Sequence, residues 1–150
     1  MSSDFILANI EAEKIIRLVV ALALGSVVGF ERQLKNRPAG MRTHMLVCLG
    51  SAMFTVAGLS LEPNTSRIAE AIATGIGFLG AGAIIAQGGR VRGITSAATL
   101  WVVAALGVVV GIGDYWLAII VTVMIFGTLQ IDRIKIFSES GTYNEQDKQN

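Results

Sequence analysis

The chain has 150 residues, room for about one domain. Apolar residues make up 53% of it and charged residues only 15%, where a soluble domain typically uses ~25% to cover its surface. A net charge of +1 excludes the dense basic face that a nucleic-acid partner requires, and a single cysteine, Cys48, supports neither an internal disulfide nor a thiolate metal site.

Stretches free of Asp, Glu, Lys and Arg run over residues 18–30, 43–61, 71–89, 93–113 and 115–131, and hold 13, 19, 19, 21 and 17 residues. Crossing ~30 Å of hydrocarbon takes about 20 mostly apolar residues. The last four stretches meet that length with some tilt. The first meets it when begun at Ala12, with Lys14 and Arg17 snorkelling to the headgroups. Basic residues before it also suit a cleaved leader, but Glu31, Arg32, Lys35, Arg37 and Arg42 oppose export of the downstream segment, so it is expected to stay as a helix. A soluble fold of this size has too little interior to bury five such helices. The expected fold class is therefore all-α, a polytopic membrane protein with about five transmembrane helices over residues 1–136 and a short polar tail over 137–150.

Lysine and arginine are held on the cytoplasmic side of a membrane. Arg32, Lys35, Arg37 and Arg42 follow the first stretch, Arg90 and Arg92 the third, and Arg133, Lys135 and Lys148 the fifth, against Lys14, Arg17 and Arg67 on the other side. That asymmetry puts the N-terminus outside and the C-terminus, with its tail, in the cytoplasm.

In lipid, helices associate through small residues that let backbones approach. Gly25 and Gly29 form one GxxxG pair, Gly107 and Gly111 another. The third stretch carries Gly75, Gly77, Gly80 and Gly82 among alanines and is small on nearly every side, so it is expected at the centre of the bundle. Its G-x-G-x-x-G spacing is no dinucleotide loop, because no strand precedes it. The fifth stretch is bulky and β-branched and is expected to face lipid, with Tyr115 and Trp116 anchored at the outer interface.

Ionisable residues at membrane depth are candidates for function. Glu70 opens the third stretch, where its carboxylate suits either the positive end of a helix dipole or a point of access for a cation. His44 lies one turn into the second, placed to sense pH or to pair with Glu31 at the end of the first. Glu31 is expected to bind an arginine of the first loop, Arg42 being the natural partner. No set of side chains has the spacing of a metal site or of a nucleophile with its base, so no catalytic residue, cofactor or enzymatic activity is expected, and magnesium stays open as a ligand or substrate.

Two cytoplasmic loops are ordered beyond what topology needs. In the first, Pro38 fixes the backbone between Arg37 and Arg42, Gly40 permits a turn and Thr43 caps the second helix. The second packs Gly88, Gly89, Arg90, Arg92 and Gly93 into a tight basic hairpin ahead of a hydroxyl-rich helix start. Arg37, Pro38, Gly40, Arg42, Arg90 and Arg92 are the loop positions expected to serve structure or a partner.

The strings 29–32 (GFER), 37–44 (RPAGMRTH), 75–82 (GIGFLGAG) and 91–101 (VRGITSAATLW) resemble the MgtC/SapB family of bacterial and archaeal membrane proteins, over roughly residues 12 to 135. The resemblance implies a five-helix transmembrane domain in a prokaryotic inner (plasma) membrane and a role in survival of magnesium limitation or acid stress. The family's best-known member is regulatory and restrains the F-type ATP synthase; it also carries a soluble C-terminal domain that this sequence lacks. Two functions are therefore expected to compete. One is regulation through helix contacts with a second copy or another membrane protein. The other is a magnesium or other cation transporter, which five spans could form only as an oligomer.

Overall fold

A computed structural model describes residues 2–61, 65–87 and 90–131. The described residues form five helices and one small hairpin: α1 Ser2–Leu34, α2 Met41–Leu61, α3 Thr65–Ala83, β1 Ile85–Gln87, β2 Arg90–Arg92, α4 Ile94–Ile112 and α5 Tyr115–Gln130. Each uncharged stretch lies within or overlaps one helix, so the expected all-α class and helix count hold. α2 and α4 are long and apolar enough to cross a membrane, and α5 is a shorter apolar helix. The polar tail at 137–150 lies outside the described residues.

Charge marked the helix limits poorly. α1 continues through Glu31 and Arg32 to Leu34 rather than stopping near Phe30, because charged residues are good helix formers and need only reach a partner. Its end is set by Asn36, which takes a left-handed φ of 50° while its N–H bonds to the Gln33 carbonyl and that of Arg37 to the Arg32 carbonyl. Gly40 was the residue expected to permit the turn; the left-handed position is Asn36. Thr43 does not cap α2, which starts two residues earlier at Met41. The Met41 N–H finds its acceptor in the side-chain oxygen of Gln33, 3.3 Å away on α1. α3 starts at Thr65 and stops at Ala83, six residues short of the end of its uncharged stretch, because the chain turns there into the antiparallel hairpin that pairs Ile85 with Arg92 and Gln87 with Arg90.

The hairpin returns to α4 through Gly93, whose φ is 93° and whose missing side chain would meet the Ala83 carbonyl. Any L-residue there is both strained and obstructed. Gly113 ends α4 with φ 92°, and Asp114 accepts from the Leu117 N–H at 3.0 Å to start α5.

The core is organised around α2, held between two glycine faces. A Cβ on Gly25 would stand 2.9 Å from Cys48 Cβ, and one on Gly29 2.6 Å from Met41 Cα. On the other side Gly107 meets Ser51 and the Cys48 carbonyl, and Gly111 meets Thr55. α2 turns His44, Cys48, Ser51, Ala52 and Thr55 inwards, a stripe at helical spacing that fills both grooves. Both GxxxG pairs therefore act as their spacing predicts.

The central position falls to α4, not α3. α4 buries Leu100, Val103, Leu106 and Val110 together with its glycines, while Ile76 is the buried residue of α3. Small side chains allow close approach from any side but do not require it, and only α4 adds to its glycines a set of larger buried apolar residues. α5 covers the bundle with Ala118, Thr122, Ile125 and Leu129 and turns Trp116, Ile120, Val123 and Met124 outwards, as expected of an outer helix. Tyr115 departs from the expected aromatic pair: it packs against the core, and Trp116 alone points out.

Candidate functional site

The polar groups that enter the bundle gather at its two ends. At one end Glu31, Arg32 and His44 are all buried, at 4%, 1% and 0% exposure. The stripe that brings them in is set by Gly25 and Gly29, which draw α1 and α2 so close that Glu31 and Arg32 have no outlet on that face. Lys35, one turn beyond, reaches back to 2.6 Å from Glu31 Oε1, and Arg32 Nη1 lies 3.5 Å from Glu31 Oε2. Lys35 Nζ also donates to the Leu129 carbonyl at 2.8 Å, at the C-terminal end of α5. A cation at a helix C-terminus offsets the negative end of its dipole. His44 shares a 2.8 Å hydrogen bond between Nδ1 and the Gly40 carbonyl, which fixes the first loop to α2. Its Nε2 is buried with no hydrogen-bond partner among the described residues.

The other end repeats the device. Arg17 pairs with Glu13, one turn away on α1, and its Nη1 donates to the Gly111 carbonyl at 2.7 Å, in the last turn of α4. Arg17 was expected to snorkel outwards. It turns inwards because the last carbonyls of α4 have no partner within their own helix and accept from its guanidinium. Each device is a carboxylate, a cation four residues later and a foreign helix C-terminus. The two stand eighteen residues apart on α1. Eighteen residues make five full turns, so both lie on one face about 27 Å apart.

Among the candidates from sequence, the structure thus brings Glu31 and His44 to one buried junction. The expected Glu31–Arg42 pair does not form: Glu31 is matched by Lys35 and Arg32, and Arg42 is exposed. Glu70 is exposed in the second turn of α3, away from that junction. Arg37 and Pro38 are exposed on the first loop, while Ala39 between Pro38 and Gly40 is buried. Arg92 is exposed on the hairpin, and the side chain of Arg90 lies outside the described residues. Sequence reasoning missed Lys35 as a member of the site, although the Glu31–Lys35 and Glu13–Arg17 spacings are both the i,i+4 pattern of helix ion pairs. Among the described residues no three His, Cys, Asp or Glu side chains converge as metal ligands would.

The small-residue face of α3 is unfilled. A Cβ on Gly75, Gly77 or Gly82 would meet nothing within 4 Å, and one on Gly80 only the Ala97 side chain at 3.7 Å. Among the described residues, the close packing expected at these four glycines is met only loosely at Gly80, because α3 lies at the edge of the bundle.

The model of the MgtC family matches residues 18–135, which takes in the α1–α2 junction, α3, the hairpin and α5. The chain belongs to the MgtC family. Protein MgtC of Salmonella typhimurium is 45% identical over 112 residues, covering 74% of this chain and 48% of its own length. YhiD of Escherichia coli K12, whose name describes it as a candidate magnesium transporter, is 42% identical over 130 residues, covering 80% of this chain and 60% of its own. Protein SrpB of Synechococcus elongatus is 41% identical over 129 residues, covering 75% and 71%. The chain thus spans about half the length of the first of these relatives. No solved structure matches it.

Proposed function

We propose that this chain is a multi-pass protein of a prokaryotic inner membrane that serves adaptation to magnesium limitation or acid stress, and that it works through helix contacts with a second copy or another membrane protein rather than by catalysis. The membrane placement is supported by the apolar length of α2 and α4 and by large apolar side chains exposed around the bundle, among them Phe54, Phe78, Trp116 and Val123. It is supported also by the two charged devices on α1, whose separation of about 27 Å is close to the ~30 Å of a hydrocarbon core. The basic residues at the Lys35 end, Arg32, Arg37, Arg42 and Arg92 among them, make that end the cytoplasmic one.

The observation that carries the contact reading is the contrast between glycine faces. Those of α1 and α4 are filled by α2, whereas that of α3 is open. In lipid such a face is where another helix can come close. The name carried by YhiD keeps magnesium transport as the competing reading, with Glu70 as its access point.

The test is magnesium uptake into proteoliposomes that hold the folded protein, run beside growth in low magnesium. No uptake, with Gly77→Leu abolishing the growth benefit while melting like the parent, is the expected result. Saturable uptake that Glu70→Ala removes would establish transport instead.

A further inference from the structure

α2 and α3 diverge away from their connection and leave a groove of about 830 Å³ between them, open to the side of the bundle. The volume lies within the roughly 300–1,000 Å³ of small-molecule sites. Its floor includes Gly50 and Gly75, where an added Cβ would meet open space, and its walls are Leu46, Phe54, Ile72 and Leu79. Arg42 stands at one mouth and Arg67, near the start of α3, at the other, and both are exposed. We propose that this groove binds one anionic phospholipid of the cytoplasmic leaflet, with its phosphate on Arg42 and an acyl chain laid along the floor. The proposal rests on the membrane placement given above.

Depth, charge and lining each favour that occupant. From Arg42 to Phe54 the groove follows twelve residues of α2, about 18 Å, against ~15 Å for the hydrocarbon of one leaflet. Arg42 adjoins Met41, whose Cα stands 2.6 Å from the Cβ position of Gly29, so it lies level with the end of α1 where Glu31 and Lys35 mark the cytoplasmic edge. A guanidinium at that height faces the phosphates and gives the mouth a charge that a zwitterionic headgroup offsets less well than an anionic one. Leu46, Phe54, Ile72 and Leu79 stand among small residues and make an uneven trough that suits an acyl chain; a helix in lipid seeks small residues over its whole contact. Gly75 lines the groove whereas Gly77, Gly80 and Gly82 do not, so the lipid site shares only the Gly75 edge of the contact face of α3 proposed above.

The test is native mass spectrometry of the full chain released from detergent after exposure to phosphatidylglycerol or phosphatidylcholine. The parent should retain one phosphatidylglycerol in preference. Arg42→Gln should reduce that preference about fivefold, the effect of one arginine at headgroup level. Arg37→Gln, in the loop before α2, and Arg67→Gln, at the other mouth, should leave it unchanged. Gly50→Leu fills the floor and should remove the retained lipid of either kind, and Gly75→Leu does the same from the opposite wall should the first variant melt early. Equal loss in Arg42→Gln and Arg37→Gln would overturn the site in favour of general surface charge. A dimer that Gly50→Leu dissociates, with lipid retention unaltered, would overturn it in favour of a second copy in the groove. Sedimentation of the parent with membranes separates the two levels: a chain absent from the membrane fraction refutes the placement, and one present there without a phosphatidylglycerol preference refutes the lipid site alone.

Discussion

Lys35 donates to the Leu129 carbonyl at 2.8 Å while its ammonium stands 2.6 Å from the buried Glu31 carboxylate, so a single side chain fastens the end of α1 to the end of α5. Lys35→Met removes both contacts and leaves Glu31, whose side chain is 5% exposed, without its nearest cation. Breaking a buried pair costs about 3–5 kcal/mol; with Lys35 itself 21% exposed, a loss of about 2–3 kcal/mol is expected in a melt of the purified protein. Glu31→Gln in the same chain should recover part of it. Equal melting of the single and double variants would show that the pair is not coupled.

Two glycines with the same sequence context should behave oppositely. Gly29→Ala drives a methyl to 2.6 Å from Met41 Cα, a backbone atom that moves only with the whole of α2, and overpacking of this kind costs about 1–3 kcal/mol. Gly77→Ala meets open space and adds helix propensity, so it should leave the melting point unchanged or raise it. Comparison of the two melts in one detergent decides the matter.

Gly93 and Gly113 share a φ near +92° but differ in what surrounds them. At Gly93 the obstacle is the Ala83 carbonyl; at Gly113 it is the guanidinium of Arg17 at 3.1 Å, the far end of a flexible side chain. Gly113→Ala should therefore cost about 1 kcal/mol, the strain of a left-handed alanine, and Gly93→Ala distinctly more. Recovery of monodisperse protein by gel filtration should fall for Gly93→Ala first.

From sequence, Glu31→Ala and Arg42→Ala are each expected to lower the folded yield, since either leaves its partner charge unpaired. The structure separates them. Arg42→Ala removes an exposed side chain and should change the melt by no more than ~0.5 kcal/mol in lipid-free detergent. Glu31→Ala leaves Arg32, 1% exposed, without the carboxylate beside it and should lower the folded yield clearly.

What the sequence made legible was what depends on local pattern. Uncharged length located the five helices, and the GxxxG spacing located both faces of α2. The meeting of Glu31 and His44 was legible from their places at the facing ends of the first two stretches. What it hid depends on choices between equally good partners. Glu31 had Arg37, Arg42, Lys35 and Arg32 within reach along the chain, and only the path of the backbone through Asn36 decides that Lys35 and Arg32 are near. Arg17 could reach headgroup or helix end, and the position of Gly111 settles it. The edge position of α3 was hidden for a different reason. Glycine and alanine at 75–83 permit burial without requiring it, and hydropathy does not tell a helix waiting for a partner from one already surrounded.

The paired devices on α1 have a mechanical consequence. Because Arg17 holds the end of α4 and Lys35 the end of α5, α1 cannot change its tilt without carrying both neighbours. A bilayer thinner than the spacing of about 27 Å must then be met by leaning of the α1–α4–α5 unit as a whole or by thickening of the surrounding lipid. On the membrane placement proposed above, α3, fastened by neither device, would meet that leaning as a change in where its open face stands relative to α1.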